Sequence, residues 1–264
     1  MPNPPLTSIQ LYSLRTMFEA ELSGYNQLCE RLAAIGYRAI EGFHYLPKNH
    51  LPEDIAALKA IFDEHRVWMR SSHVPLDALR TNMAATLATY RQLNTEDLIV
   101  PYLTPEERPQ SAAEWESFAQ ELEALAQEVA SEGFKLHYHN HEFELAFFRG
   151  HSALDILMEY APNLGLELDI GWLARDGANI LSYLERHQER ISYLHIKDIA
   201  PKGEKQDEDG WAIPGEGSVD WQGLGPQLDK LPLKAFVVEH DKPKAPLDFA
   251  ERALGFVSGG GLGV

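Results

Sequence analysis

Apolar positions along this chain follow two alternating rhythms. Short β-rich runs bounded by turn residues give way to longer stretches in which apolar residues recur at helical spacing. The strand candidates are residues 8–14 (SIQLYSL), 37–43 (YRAIEGF), 67–74 (VWMRSSHV), 97–103 (DLIVPYL), 134–140 (FKLHYHN), 164–170 (LGLELDI), 191–198 (ISYLHIKD) and 235–240 (AFVVEH). The first helical stretch carries Leu28, Leu32 and Ile35 and stops at Gly36; the second, over 52–66, puts Ile55, Leu58, Ile61 and Phe62 on one face. Further helices are predicted over 75–94, 111–132, 152–160 with Ser152 as N-cap, 179–190, from Asp220 onward, and over 247–257.

Eight strand–helix units without a break predict one α/β domain over 1–264, a closed (β/α)8 TIM barrel rather than an open doubly wound sheet. The glycine-rich residues 258–264 (SGGGLGV) read as a flexible tail. The chain's 264 residues and 44% hydrophobic content suit one barrel with a substantial core. Its formal charge of −17 repels phosphate backbones and anionic membrane surfaces, which argues for a small-molecule substrate and against nucleic acid or membrane as partner. The single cysteine, Cys29, can form no intrachain disulfide and reads as a thiol packed near the core. The opening MPNPPLTS lacks a basic segment followed by an apolar one, and no apolar run reaches membrane-spanning length, so a cytoplasmic location is expected. Nothing in the sequence speaks to oligomeric state, and a homo-oligomer is left open.

Ionisable residues recur where the predicted strands end: Glu41, His73, His139, Asp169, His195 and Glu239. A barrel enzyme gathers its active site at that end. The densest run is residues 136–144 (LHYHNHEFE), where alternation puts His137, His139 and His141 on one side of the strand. Imidazoles without partners are unwelcome on either face of a barrel wall, so ligand or substrate contacts would explain His139 and His141, with His137 lying deeper. The competing reading is a hydrogen-bonded cluster that shapes the loop. Asp169 closes an apolar strand and could instead be a helix N-cap. His195 lies between Leu194 and Ile196, where a satisfied core histidine is the ordinary reading. Glu239 follows two valines and is hard to bury without a cation. Together these imidazoles and carboxylates form a donor set suited to Mn²⁺, Co²⁺, Zn²⁺ or Fe²⁺ more than to Ca²⁺. Lys197 shares parity with His195 and could steady a developing enolate, or else pair with Glu167 or Asp169. Trp172, Trp211 and Trp221 could stack on a sugar ring or pack the rim. Glu41 and His73 are candidates for substrate hydroxyls. Residues 202–210 (KGEKQDEDG) read as a solvated loop or lid. No glycine-rich phosphate fingerprint follows a strand.

The motifs YHNH (138–141), LDIGW (168–172), LHIKD (194–198), GEGSVDW (215–221) and VVEHD (237–241), with IQLYSLR (9–15) and SHVP (72–75), span nearly the whole chain in order. By them the chain resembles the xylose isomerase-like superfamily of sugar isomerases and epimerases. In related epimerases a Glu, an Asp, a His and a Glu on strands five to eight hold a divalent metal. The resemblance carries the last three onto Asp169, His195 and Glu239. The strand-five glutamate would fall at or near His139, so the fourth ligand is either His139 or Glu142 reaching back from the loop. It implies a metal-dependent isomerase or epimerase acting on a keto-sugar or related polyol through an enediolate. Glu239, His141 and Lys197 would carry the chemistry, and Glu41, His73 and Trp172 would hold the substrate. Because a histidine replaces one of the two facing glutamates, a lyase or dehydratase acting on an inosose or 3-keto-glycoside is the alternative. A DNA-repair endonuclease of the same superfamily is disfavoured by the acidic charge. An inactive sugar-binding barrel is disfavoured by the retained ligand set.

Overall fold

Strand alternation decides which side chains fill the barrel and which meet the helices. The computed structural model describes residues 4–44, 46–47 and 51–264; residues 1–3, where the stretch read for a secretory signal begins, lie outside them. The barrel strands are β1 (Leu6–Gln10), β2 (Ala39–Gly42), β3 (Trp68–His73), β4 (Asp97–Val100), β5 (Lys135–His139), β6 (Gly165–Asp169), β7 (Ile191–Ile196) and β8 (Ala235–Val238). Each pairs in parallel with the next, and β8 closes on β1 with Leu6 opposite Ala235. The surrounding helices are α1 (Leu22–Ile35), α2 (Pro52–His65), α3 (Leu76–Gln92), α4 (Ala112–Ser131), α5 (Ala153–Tyr160), α6 (Ile170–Asp176), α7 (Ile180–Arg186), α8 (Trp221–Leu228) and α9 (Pro246–Ser258). This is the (β/α)8 architecture that the alternating periods predict.

Leu136 and Tyr138 of β5, Leu166 and Leu168 of β6, Leu194 and Ile196 of β7, and Phe236 and Val238 of β8 all belong to the apolar layer beneath the helices. Their alternates point into the barrel: His137 and His139, Glu167 and Asp169, Tyr193 and His195, Val237 and then Glu239. The outer layer carries the hydrophobic stabilisation, about 1.5–3 kcal/mol for each fully buried Leu or Ile. The interior is instead mostly polar, with Tyr193, Ala235 and Val237 forming a small separate apolar cluster.

Two register shifts break the regular pairing. Ile40 faces Met69 but Glu41 faces Ser71, and Leu166 faces Ile191 but Glu167 faces Tyr193. One residue is skipped each time, so Ser71 turns inward beside Glu41, and His195 comes opposite Asp169.

Some boundaries differ from the pattern's expectation. The first strand stops at Gln10, because the Gln10 side chain accepts the Tyr12 N–H at 3.1 Å and starts a 3₁₀ turn over Leu11–Leu14. Ser152 caps α5 as expected, with a full capping box to Asp155. The helix expected to run to residue 190 ends at Arg186 in a turn, Arg190 N–H bonding the His187 carbonyl. The tail expected to be loose is held down. Leu262 is fully buried, and Gln222 Nε2 donates to the carbonyls of Gly260 and Gly261 at 3.1 and 2.9 Å. Glycine permits this docking, since a Cβ on Gly225 would meet Gly263 O at 2.5 Å. Among the described residues no helix is long and apolar enough to cross a membrane.

Candidate metal centre and active site

Four inward side chains from successive strand ends meet at the carboxyl mouth. His139 ends β5, Asp169 ends β6, His195 lies in β7, and Glu239 follows β8. One donor atom from each lies within 4.8 Å of the others. His195 Nδ1 is 3.0 Å from Glu239 Oε2 and 3.6 Å from Asp169 Oδ2; His139 Nε2 is 3.9 Å from the same Asp169 oxygen. Ligands about 2.0–2.2 Å from a tetrahedral ion stand roughly 3.5 Å apart, so these separations fit one. Asp169 is fixed from both sides. Its Oδ1 caps α6 through the Trp172 N–H at 2.9 Å, and its own N–H is taken by Asn140 Oδ1 at 2.9 Å. Its Oδ2 is buried with no hydrogen-bond partner and points into the cluster. A buried orphan carboxylate oxygen is costly unless a cation meets it.

Below this lies a second set of donors. Glu41 accepts from Gln10 Nε2 at 2.8 Å, Ser71 Oγ at 2.6 Å and His195 Nε2 at 2.9 Å. His73 Nε2 sits between Glu167 Oε2 at 2.7 Å and Glu41 Oε1 at 3.2 Å. Burial opposes the ionisation of Glu41, but His73 and His195 outweigh it and hold the carboxyl well below the usual range. Burial likewise opposes charge on His195, but Glu167 and Glu239 raise it well above an ordinary imidazole. His139 goes the other way: burial, then the neighbouring His195, keep it neutral.

Lys197 Nζ is 2.8 Å from Asp241 Oδ1 and 3.0 Å from Glu239 Oε2, and lies over the rings of Trp211 and Trp172 at 4.3 and 4.9 Å. Burial works against its charge, but Asp241 and Glu239 outweigh it and raise the ammonium's pKa. Burial would push Glu239 up, yet Lys197 and then His195 hold it well below the usual carboxylate range.

A cavity of about 560 Å³ opens above, lined among others by His73, His139, His141, Glu142, Trp172 and Glu239. Its outer wall includes Tyr12 and Phe43, an edge-to-face pair 5.6 Å apart, and Tyr102. His141 packs between Tyr102, Phe143 and Trp172, and burial, then Lys197, lower its pKa to about 3.

The structure therefore brings His139, Asp169, His195 and Glu239 together and leaves Glu142 apart. Glu142 is exposed on the cavity lip and belongs to neither group of converging donors found among the described residues. Glu41 does not reach the cavity as a substrate contact would; it is fully buried beneath His195. Lys197 is also off the cavity wall, engaged by two carboxylates under two indoles. Its nearest partners are Asp241 and Glu239 rather than Glu167, with Asp169 Oδ2 at 3.6 Å. Sequence reasoning passed over Glu167 as a site residue, although it shares parity with Asp169, and over Asp241 and the aromatic wall. The GEGSVDW loop proves architectural. Asp198 accepts from Gly215 N, Val219 N and Trp221 Nε1 at 3.0, 3.1 and 2.9 Å. A Cβ on Gly217 would collide with Asp198. The expected lid region contributes Asp209 to the cavity wall.

The closed barrel with an ionisable cluster at its carboxyl mouth places the chain among the (β/α)8 barrels that carry a candidate site at that end. The chain belongs to the xylose isomerase-like TIM-barrel family, whose profile matches residues 29–257. The rhizopine catabolism protein MocC of Rhizobium meliloti is 28% identical over 155 residues, 52% of this chain and 47% of that protein. An inosose dehydratase of Clostridium perfringens (strain 13 / Type A) is 26% identical over 162 residues, 54% of each. The chain spans about half the length of the curated relatives it matches. Among solved structures, a sugar phosphate isomerase/epimerase from Parabacteroides distasonis ATCC 8503 has a TM-score of 0.76 at 15% identity, over 97% of this chain and 94% of that one. The IOLI protein with a bound zinc atom gives 0.74 at 18% identity, over 98% of both chains. D-psicose 3-epimerase gives 0.70 at 14%, over 98% and 100%. At such identities these structures attest the fold.

Proposed function

We propose that the protein is a divalent-metal-dependent isomerase or epimerase acting on a keto-sugar or related polyol. One observation carries the reading. His139, Asp169, His195 and Glu239 converge beneath a sugar-sized cavity that His139 and Glu239 line, and the buried Asp169 Oδ2 among them accepts no hydrogen bond. Two imidazoles and two carboxylates are a donor set for Mn²⁺, Co²⁺, Zn²⁺ or Fe²⁺. An ion held there supplies a Lewis acid toward the substrate's carbonyl and neighbouring hydroxyl. Glu239 removes the proton from the carbon beside the carbonyl, and His141, kept neutral by burial, handles a proton on the same cavity. Lys197 holds the Glu239 carboxylate in place. Trp172 and the outer aromatics offer faces to the apolar side of a ring.

A second reading, loss of water from an inosose or 3-keto-glycoside after the same proton removal, is favoured by the imidazole of His139 where two facing carboxylates would serve epimerisation. The relatives named inosose dehydratase lean the same way. A small-molecule role in the cytoplasm, without nucleic acid, suits the charge of −17. The test is elemental analysis of the purified protein, followed by exchange of substrate α-protons with D₂O across ketoses, inososes and 3-keto-glycosides. We expect about one ion per chain and metal-dependent exchange. A chain that binds no divalent ion at micromolar concentration sinks the reading.

A further inference from the structure

Each ring that faces the candidate ion has a second nitrogen, and those second nitrogens share one layer of carboxylate. His195 turns Nδ1 toward Glu239 and Asp169, while its Nε2 lies 2.9 Å from Glu41 Oε1 and 3.2 Å from Glu167 Oε2. His139 is reversed. Its Nε2 faces Asp169, and its Nδ1 lies 3.2 Å from Glu167 Oε2. The two rings thus present opposite nitrogens to the mouth; His195 leans on both carboxylates and His139 approaches Glu167 alone.

We infer that Glu41 and Glu167 are positioning residues of this centre: they form a carboxylate layer beneath it that makes His195 offer Nδ1 and His139 offer Nε2. The inference rests on the metal reading proposed above. Three independent features support it. First, both register shifts in the barrel fall immediately before these two glutamates, at Ile40/Glu41 and Leu166/Glu167. Bulges of this kind re-aim side chains beside active sites. Second, Glu41 is clamped by donors from its neighbouring strands, Gln10 and Ser71, so its position does not depend on the histidine it meets. Third, His73 bridges both carboxylates at 2.7 and 3.2 Å and ties them into one unit.

The lower donors, His73, His139, Glu167 and His195, also converge within 4.8 Å of one another and could be taken for a second ion site. Two of these three rings are already spent: His73 Nε2 bonds Glu167 and His195 Nε2 bonds Glu41. That leaves His139 Nδ1 and Glu167 Oε1 without a hydrogen bond below, against a set above in which Asp169 Oδ2 accepts none. A metal-bound imidazole whose other N–H goes to a carboxylate is held in one tautomer and one orientation. That is the arrangement of His195, whose spent Nε2 leaves Nδ1 for one ion above the layer rather than a second below it.

The experiment is two-bond ¹H–¹⁵N spectroscopy of ¹⁵N-histidine-labelled protein loaded with Zn²⁺, with ¹¹³Cd²⁺ as a second probe and His139→Gln and His195→Gln for assignment. We expect His195 ligated through Nδ1 with its proton on Nε2, and His139 ligated through Nε2 with its proton on Nδ1, at one ion per chain. Glu41→Gln and Glu167→Gln, near-isosteric changes, should each weaken Zn²⁺ binding roughly 10- to 100-fold. Both rings ligated through Nε2, or two ions per chain, overturns the inference. So does a Glu→Gln variant that loses thermal stability yet binds Zn²⁺ as tightly as wild type, since that marks a merely structural role. Should either variant fail to fold, the wild-type ring assignment still decides. A wild type that takes up no ion overturns the metal reading and this inference together, whereas ligation through the wrong nitrogen overturns this inference alone.

Discussion

At the lower end of the barrel, Asp97 receives His137 Nε2 at 2.9 Å, Tyr193 OH at 2.6 Å and Lys234 Nζ at 2.8 and 2.6 Å. At the upper end Asp169 has one oxygen spent on a helix cap and the other unpartnered. Both are fully buried carboxylates on inward positions, and both sit beside histidines of β5. The lower one is saturated by its own protein, so nothing further is needed to hold it there. The upper one keeps an oxygen that accepts no hydrogen bond, beside other donors at ligand spacing, of which His139 and Glu239 line the cavity. Histidine-rich interiors are therefore not read by composition. What separates a structural cluster from a ligand site is whether its acceptors are already filled.

The largest expected effect tests the lower end. Asp97→Ala leaves a buried tyrosine hydroxyl and a buried imidazole, and a half-buried lysine, without their acceptor, a loss of about 2–4 kcal/mol. Calorimetry should show melting roughly 10 °C lower, while the folded fraction keeps its metal stoichiometry. Loss of metal as well would mean that the two clusters are not separable. Next comes Asp169→Asn, which preserves the cap acceptor for α6 but removes the charge. A zinc-type site is worth about 10–16 kcal/mol over four ligands, so one ligand accounts for roughly 3 kcal/mol. Metal affinity measured by chelator competition should fall about 10²-fold or more, with melting changed little. An unchanged affinity would remove Asp169 from the ligand set. Glu239→Gln keeps size and one oxygen. At equal metal occupancy, substrate α-proton exchange in D₂O should drop at least roughly 10²-fold. Near-wild-type exchange would pass the proton-transfer role to His141.

The barrel itself was legible because alternation writes it into every strand. Leu166, Leu168 and Leu194 had to pack outward once Glu167, Asp169 and His195 were inside. Asp169 and Glu239 stand out in the sequence as carboxylates closing apolar strands, whereas His195, inside its strand, reads as a core histidine, and only the family resemblance sets it beside them. What the pattern could not supply was depth. Glu41 and His73 both looked like rim residues, but Glu41 lies under His195, with Ser71 turned toward it by the shift in β3, while His73 still touches the cavity. A one-residue irregularity leaves no trace in periodicity. Of the Lys197 partners, Asp169 is foreseen by the sequence, while Asp241 is not, because it lies beyond β8, where alternation no longer applies. In the tail, glycine signals both looseness and close approach, and the buried Leu262 and the Gln222 bonds to Gly260 and Gly261 belong to the second.

Acid should separate the two ends by a smaller, graded effect. At the lower end, burial opposes the charge on Asp97, but His137 and Lys234 hold its carboxyl below the value it has when unfolded, near 3.9. A group shifted that way contributes its stability above the unfolded value and loses it only as pH falls through the lower, folded one. Between pH 8 and 5 the lower cluster is therefore intact. At the upper end, the ion-free His195 is raised by Glu167 and Glu239, so it keeps its proton to high pH. That contribution to the ion-free fold is fully present below the ordinary imidazole range and is lost as pH rises through the folded value. An ion that uses His195 Nδ1 must displace that proton. Each unit of pH below the folded value should then weaken metal binding about tenfold. The proton takes the ion's place between His195 Nδ1 and Glu239, so the metal leaves without the fold. Zinc release followed with a chromophoric chelator should run ahead of any change in circular dichroism between pH 8 and 5. Release that coincides with unfolding, or an affinity that is flat over this range, would mean that His195 does not hold the ion through the nitrogen facing Glu239.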